Sequence, residues 1–349
     1  MKRLFILFLI CFQSFVFSQT NLQSISYPKN ISLDTLLTDV ISIRAITVSP
    51  EFVWYAADKN RVGVINLKSG YKEEIKIEHD GLTLEFRSIA QTKKYIFILC
   101  VGTPALLFRL SKDLTQYDLV YREEHEKVFY DSMQFWNEQE GMAIGDPTDS
   151  CLSLIRTHDG GMTWNKLTCE KSPKIIEGEA AFASSNTNLI SKKNCLWVVT
   201  GGKKARVFCS NKQGTIWTSF DTPIQQGSSM SGIFTADFYD KYHGCIAGGD
   251  YENPSDNLKN IAFTSNGGKT WSIPNNVLDF GYTSCVQYVP YSNGRQLLVV
   301  GSSGVFYTSD TGFTWRKVAN DSSLFTIRFI SKKVAIVAGK NKIVRLRLN

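Results

Sequence analysis

The residue pattern of this chain points to an all-β fold of repeated four-stranded antiparallel units, and three observations carry that expectation. No stretch between residues 19 and 349 keeps the 3.6-residue periodicity of a helix; short β-branched and aromatic runs alternate with clusters of Gly, Asn, Asp and Ser. An apolar strand ending in small residues recurs seven times, the last residues of successive copies lying 38 to 56 positions apart. A turn of the form Ser/Thr-x-Asp/Asn-x-Gly-x-Thr-Trp recurs among them. Four antiparallel strands at this spacing make one blade and seven blades close a ring, so the expected fold is a seven-bladed β-propeller.

From the N-terminus, residues 1–18 read as a signal peptide. Lys2 and Arg3 form a basic start, 4–17 are almost wholly apolar, and Val16 and Ser18 suit a cleavage site before Gln19. The expected location is periplasmic or secreted. Acylation of Cys11, as in a lipoprotein, is disfavoured because Ile10 stands where a small residue is expected. No later stretch approaches the ~18 apolar residues of a membrane span. Without Lys2 and Arg3 the formal charge falls from +7 to +5, with no run of five like charges, so nucleic acid is not an expected partner.

The seven apolar strands are 53–57, 96–102, 141–145, 196–201, 244–248, 297–301 and 334–339. Each is preceded by a strand, such as 43–48 or 324–330, and followed by another, such as 61–65, 106–110 or 206–209. The strand opened by the turn's tryptophan is the fourth. The last unit ends at 344–348, its third strand, so residues near 24–27 or 41–42 are expected to supply the fourth and close the ring. That pairing would bury two strand edges that otherwise invite aggregation. The expected organisation is a signal peptide at 1–18, an N-terminal segment with the closing strand at 19–40, and the propeller at 41–349.

The turn runs Thr157-His158-Asp159-Gly160-Gly161-Met162-Thr163-Trp164 and returns at 264–271 and 308–315. Asp159, Asn266 and Asp310 are placed to accept backbone N–H bonds. Gly161, Gly268 and Gly312 tolerate the positive φ of a tight turn. Trp164, Trp271 and Trp315 then cover the turn they leave, and burying such a ring removes roughly 150–250 Å² from water. A worn copy at 210–217 keeps the first hydroxyl, Gly214 and Trp217; 111–114 is a remnant and 66–70 barely one. The turn is a hairpin staple that needs no ligand to explain it. Cys151 and Cys169 flank the first turn, and Cys195 and Cys209 are symmetric about 201–204. Each pair is either a disulfide, which export permits, or two small apolar strand residues. Cys100, Cys245 and Cys285 look like core positions.

The turn resembles the Asp box, or BNR repeat, of sialidase-like and related propellers. With the apolar strands, which cover essentially all of 41–349, the chain resembles exported seven-bladed propellers related to the photosystem II stability/assembly factor. That resemblance implies a binding or assembly scaffold without catalysis. Sialidases share the box but also need an arginine triad, a Tyr–Glu pair and an Arg-Ile-Pro motif, of which Arg44-Ala45-Ile46 is a poor echo.

In a four-stranded blade the box turns gather on one face of the disc, and ligand sites open on the other, among the second-to-third loops and the blade crossings. The longest such loop is 249–260. Arg44 and Arg87 begin first strands in matching contexts and either hold a carboxylate or another anion bidentately or are solvated or salt-bridged strand-start residues. Asp146 and Asp250 each follow a unit's glycine, and with Glu177 and Glu179 they either supply carboxylates for glycoside hydrolysis or cap local loops. Tyr251 and Glu252 extend the Asp250 loop, which lacks the ordered ligand spacing of a Ca²⁺ EF-hand. His79, His125, His158 and His243 are scattered without metal spacing, and no nucleophile elbow, phosphate loop or dinucleotide fingerprint is present. The expectation is a monomeric propeller without metal or cofactor, binding an envelope protein or glycan through its loop-rich face. The alternative is a glycoside hydrolase using carboxylates on that face.

Overall fold

A computed structural model describes residues 28, 30–210, 214–275 and 279–349. The expected signal peptide and the 24–27 candidate for the closing strand lie outside the described residues. The second strands, such as Phe52–Ala57 and Tyr95–Cys100, are buried almost throughout, which is why they read as continuous apolar runs. Outer strands such as Lys72–Lys76 alternate exposed and half-buried positions, with one face on a neighbour and one in water.

Among the described residues the strands pair antiparallel in six sheets, mostly with strands near them in the chain. Four sheets have four strands each, beginning at Phe86–Gln91, Tyr130–Phe135, Leu189–Lys192 and Thr283–Tyr288. A five-stranded sheet runs Glu179–Ala180, Gly201–Gly202, Ser231–Phe238, Gly244–Asp250, Ile261–Thr264. A six-stranded sheet runs Leu324–Ser331, Val334–Leu348, Ile31–Val48, Phe52–Ala57, Arg61–Asn66, Lys72–Lys76. Six sheets stand among the described residues where seven blades were expected, and the six-stranded one contains two long strands that each belong to more than one hairpin. Ile31–Val48 pairs with Val334–Leu348 through its first half (Ile31↔Leu348, Leu37↔Ile343) and with Phe52–Ala57 through its second (Ile46↔Tyr55, Val48↔Val53). The strand beside 343–348 is therefore 31–37, not the 41–42 considered from sequence.

The first strands stand side by side in chain order. Ile31–Val48 packs on Phe86–Gln91, followed by Tyr130–Phe135, Leu189–Lys192, Ser231–Phe238, Thr283–Tyr288 and Leu324–Ser331, and the last packs back on Ile31–Val48. Apolar clusters fill the spaces between neighbouring sheets, such as Trp54, Ile77, Phe86 and Phe108 in one and Phe97, Tyr130, Ile155 and Trp164 in the next.

The recurrent turns share one bonding scheme. The Thr157 hydroxyl donates to Asp159 Oδ1 at 2.8 Å and accepts from Gly161 N–H at 2.9 Å, while Thr163 N–H donates to Asp159 Oδ1 at 3.0 Å. Thr264, Asn266, Gly268 and Thr270 repeat this set, as do Thr308, Asp310, Gly312 and Thr314. Trp271 and Trp315 each donate Nε1–H to the turn glycine's carbonyl at 3.0 Å, whereas Trp217 reaches Lys171 O at 3.2 Å. Trp164 is wedged edge-on against Phe97 and Phe135, contributed by two adjacent sheets.

Cys151 and Cys169 form a disulfide, their Cα atoms 5.6 Å apart. Cys195 and Cys209 remain thiols, because the strand register sets Cys209 opposite Trp197 rather than opposite Cys195. Cys100, Cys245 and Cys285 are buried.

Candidate functional site

The two ends of the ring carry different loops. The recurrent turns bond to the first-to-second loops, through Gly160 N–H to Gln139 O, Gly267 N–H to Tyr242 O and Thr311 N–H to Arg295 O at 2.8–2.9 Å. The second-to-third loops bond to the starts of the first strands instead, through Asp146 N–H to Phe129 O at 2.7 Å and Tyr251 N–H to Met230 O at 2.9 Å. Chemistry at the loop-rich end is therefore presented by the beginnings of the first strands.

At that level six first strands carry a β-bulge. The register slips by one residue at Arg44, Arg87, Asp131, Phe234, Ser284 and Phe325, each left without a partner on the second strand. A bulge bends its strand and re-aims the extra side chain. Four of these residues, Arg44, Arg87, Asp131 and Phe234, line one cavity of about 430 Å³, together with Asp146 and Tyr282. Asp131 is the residue that sequence reasoning missed. It occupies the position of Arg44 and Arg87, and the run Asp131-Ser132-Met133 matches Arg44-Ala45-Ile46 and Arg87-Ser88-Ile89 in having a small and then an apolar residue after the bulge.

The floor of the cavity is an irregular segment. Residues 181–188 are buried throughout, yet belong to no strand. Ser184 donates its hydroxyl to Phe234 O and Ser284 O at 3.1 Å, and its own carbonyl accepts from Arg44 Nη1 at 3.4 Å. Asn186 donates to Ile89 O and accepts from Met133 N–H, both at 2.8 Å, and the Thr326 hydroxyl donates to Ser185 O at 3.1 Å. Bonds to six first strands that ring a common axis place the segment on that axis. It separates the loop-rich cavity from a second one of about 280 Å³ on the side of the recurrent turns, lined by Gln134, Asp237 and Arg328 among others.

Charge at the loop-rich cavity is only partly balanced. Arg87 donates Nε–H to Glu85 at 2.7 Å. Arg44 lies 4.3 Å over the Phe325 ring, and no carboxylate pairs with it among the described residues. Asp131 is 0% exposed, and neither of its carboxyl oxygens has a hydrogen-bond partner among the described residues. Burial pushes its carboxyl well above the usual carboxylate range, Asp146 adds to this, and Arg87 opposes it. Burial also raises Asp146 to about 7, against the Ala181 N–H that donates to it at 3.0 Å.

The remaining sequence candidates do not join this group as reactive carboxylates. Asp250 is turned into its own loop, accepting from Glu252 N–H at 2.9 Å and Asn253 Nδ2–H at 3.0 Å; the Asn253 bond holds its carboxyl below the usual range. Glu179 is buried and engaged by Arg206 Nη2 at 2.5 Å and by the Thr200 hydroxyl at 2.6 Å. Glu177 and Glu252 are exposed. Tyr251 does reach the cavity, packed edge-on against Tyr282 at 5.2 Å. Among the described residues no cluster of three or more His, Cys, Asp or Glu side chains is placed to hold a metal.

Fold and site together define an all-β propeller with four-stranded antiparallel blades. No family model and no curated protein matches the sequence. Solved structures do. YCF48 bound to a D1 peptide is 12% identical over 93% of this chain and 100% of its own, with a TM-score of 0.65. YCF48 from Cyanidioschyzon merolae is 14% identical over 90% and 99%, at 0.64. A streptogramin B lyase is 13% identical over 93% and 100%, at 0.65. At these identities the likeness shows the fold alone.

Proposed function

We propose that this chain is a non-enzymatic binding propeller that holds a segment of a partner protein at its loop-rich face. The observation that carries this reading is the convergence of bulged residues from several blades, Arg44, Arg87, Asp131 and Phe234, on one cavity. The likeness to YCF48, whose structure holds a D1 peptide, supports it. Selection from a displayed random-peptide library tests it. Wild type should enrich a family of sequences that Arg44→Ala and Arg87→Ala, still folded by thermal melt, no longer retain; no enrichment by wild type would sink the proposal.

A second reading, glycoside hydrolysis, draws on the two carboxyls Asp131 and Asp146, whose burial favours the protonated form a general acid needs. Turnover in a screen of glycosides and polysaccharides, abolished by Asp146→Asn, would put it first.

We further infer seven blades closed between the two termini, and the recurrent turns as Asp boxes. The six-stranded sheet supports the count, since Leu324–Ser331, 334–339, 343–348 and 31–37 make one four-stranded unit, with 43–48, Phe52–Ala57, Arg61–Asn66 and Lys72–Lys76 making another. Deleting residues 20–40 should lower the unfolding temperature sharply. Export is supported by the Cys151–Cys169 disulfide, which an oxidising compartment sustains. Intact-mass measurement of the mature protein should place its first residue at Gln19.

A further inference from the structure

The loop-rich cavity has two chemically distinct walls. One is aromatic: Phe182 stacks on Phe234 with centroids 4.1 Å apart, Tyr282 stands edge-on to Phe234 at 4.7 Å, and Tyr251, 45% exposed, continues the wall outward. The other holds the guanidiniums of Arg44 and Arg87 and the fully buried carboxyl of Asp131. The terminal nitrogens of Arg87 carry no hydrogen bond among the described residues, and Arg44 makes only its 3.4 Å bond to Ser184 O. A buried carboxyl without a partner is a costly arrangement unless a bound molecule completes it.

Three features thus line one space: guanidiniums from two adjacent first strands whose terminal nitrogens are largely unbonded, a carboxyl without a partner, and a group of aromatic side chains. A carboxylate, an amide N–H and an aromatic side chain diverge from a single tetrahedral carbon in an N-acylated aromatic amino acid. We propose that the cavity binds an aromatic α-amido acid, its carboxylate on Arg44 and Arg87, its amide N–H on Asp131 and its ring against Phe234 and Tyr282. Two sources share this chemistry: a small N-acyl amino acid, and a polypeptide that ends in an aromatic residue. The assignment rests on the loop-rich face being the binding face.

Isothermal titration calorimetry on the full protein separates the outcomes. N-acetyl-L-phenylalanine should bind, and N-acetyl-L-phenylalaninamide, which lacks only the carboxylate, should bind at least about tenfold more weakly. 3-Phenylpropanoate, which lacks the N–H, should also be weaker. Arg87→Ala and Arg44→Ala should each weaken binding of the acid by about tenfold or more while leaving the amide unchanged. Arg87→Lys serves if the alanine variants melt early, since it keeps the charge but loses the planar fork. A tetraglycyl-phenylalanine peptide that binds as tightly as the acetylated amino acid assigns a polypeptide terminus; one that does not bind assigns the small ligand. Equal affinity for acid and amide, indifference to both arginine substitutions, or no heat with any probe overturns the proposal. If the probes fail while library peptides are still retained through Arg87, the ligand class falls and the binding face stands; if neither binds, both fall.

Discussion

Ser184 and Ser284, 100 residues apart in the chain, are joined by a 3.1 Å hydrogen bond from the Ser184 hydroxyl to the Ser284 carbonyl, at the axis of the ring. The bond is one of several that tie an irregular segment to first strands around the ring. Irregular backbone in such a buried place depends on partners of this kind, which Ser184, Ser185 and Asn186 supply, while the Asn188 side-chain amide has none among the described residues.

Asn186 tests that seating. Its amide serves both Met133 N–H and Ile89 O, and its φ of 58° is one that glycine also accepts. Asn186→Gly should therefore keep the backbone conformation but leave two buried main-chain groups unpaired, costing on the order of 3 kcal/mol. Chemical denaturation should show the loss; an unchanged midpoint would mean the segment is not what holds the axis.

The ion pair between Glu179 and Arg206 gives a second prediction. The Glu179 side chain is fully buried and that of Arg206 is 14% exposed. Arg206→Ala strands a buried charge and should cost about 3–5 kcal/mol, whereas changing both residues to Met should recover most of that loss. If Glu179 were catalytic instead, Glu179→Gln would abolish turnover at unchanged stability.

Acid–base behaviour at the cavity gives a third. Burial raises Asp146 to about 7 and Asp131 well above the usual range, beside Arg44, Arg87, Tyr251 and Tyr282. The native Asp146 carboxyl then keeps a proton that the unfolded chain releases near pH ~4, so its contribution to stability is full below that pH and is lost as pH rises through about 7, and Asp131 acts in the same direction. Asp146→Asn removes one of these titrations while its amide oxygen keeps the bond from Ala181 N–H. Between about pH 5 and about pH 8 its denaturation midpoint should fall less than that of wild type; parallel profiles would show that Asp146 is ionised throughout.

Two glycines separate backbone strain from collision. Gly70 and Gly161 have φ of 75° and 84°, but a Cβ at Gly70 meets nothing within 4 Å, whereas one at Gly161 would lie 2.3 Å from the Phe97 ring. Gly70→Ala should cost about 1 kcal/mol and Gly161→Ala about 3 kcal/mol or more, read from paired thermal melts. Equal losses would show that the turn at Gly161 can yield.

The strands and turns were legible because they depend on neighbours in sequence. An apolar run between turn residues forms a strand wherever it falls, and Thr157, Asp159 and Gly161 make their bonds within five residues. Arg44 and Arg87 stood out because like residues shared like contexts. Asp131 shares the context but differs in charge, so only the bulge register shows it to be their equivalent. Nothing local in Glu179 reveals that Arg206, 27 residues on, occupies its carboxylate.

By itself, then, the sequence determined an all-β chain of repeated hairpins, stapled by Thr–Asp–Gly turns, because period-two patterning and turn chemistry act over a few residues. Only the tertiary structure decided which side chains share a cavity, that residues 181–188 close the axis, and that 31–37 pairs with 343–348. Those outcomes depend on how far each blade turns about the axis and where a one-residue bulge falls, and both are set by packing between strands far apart in the chain.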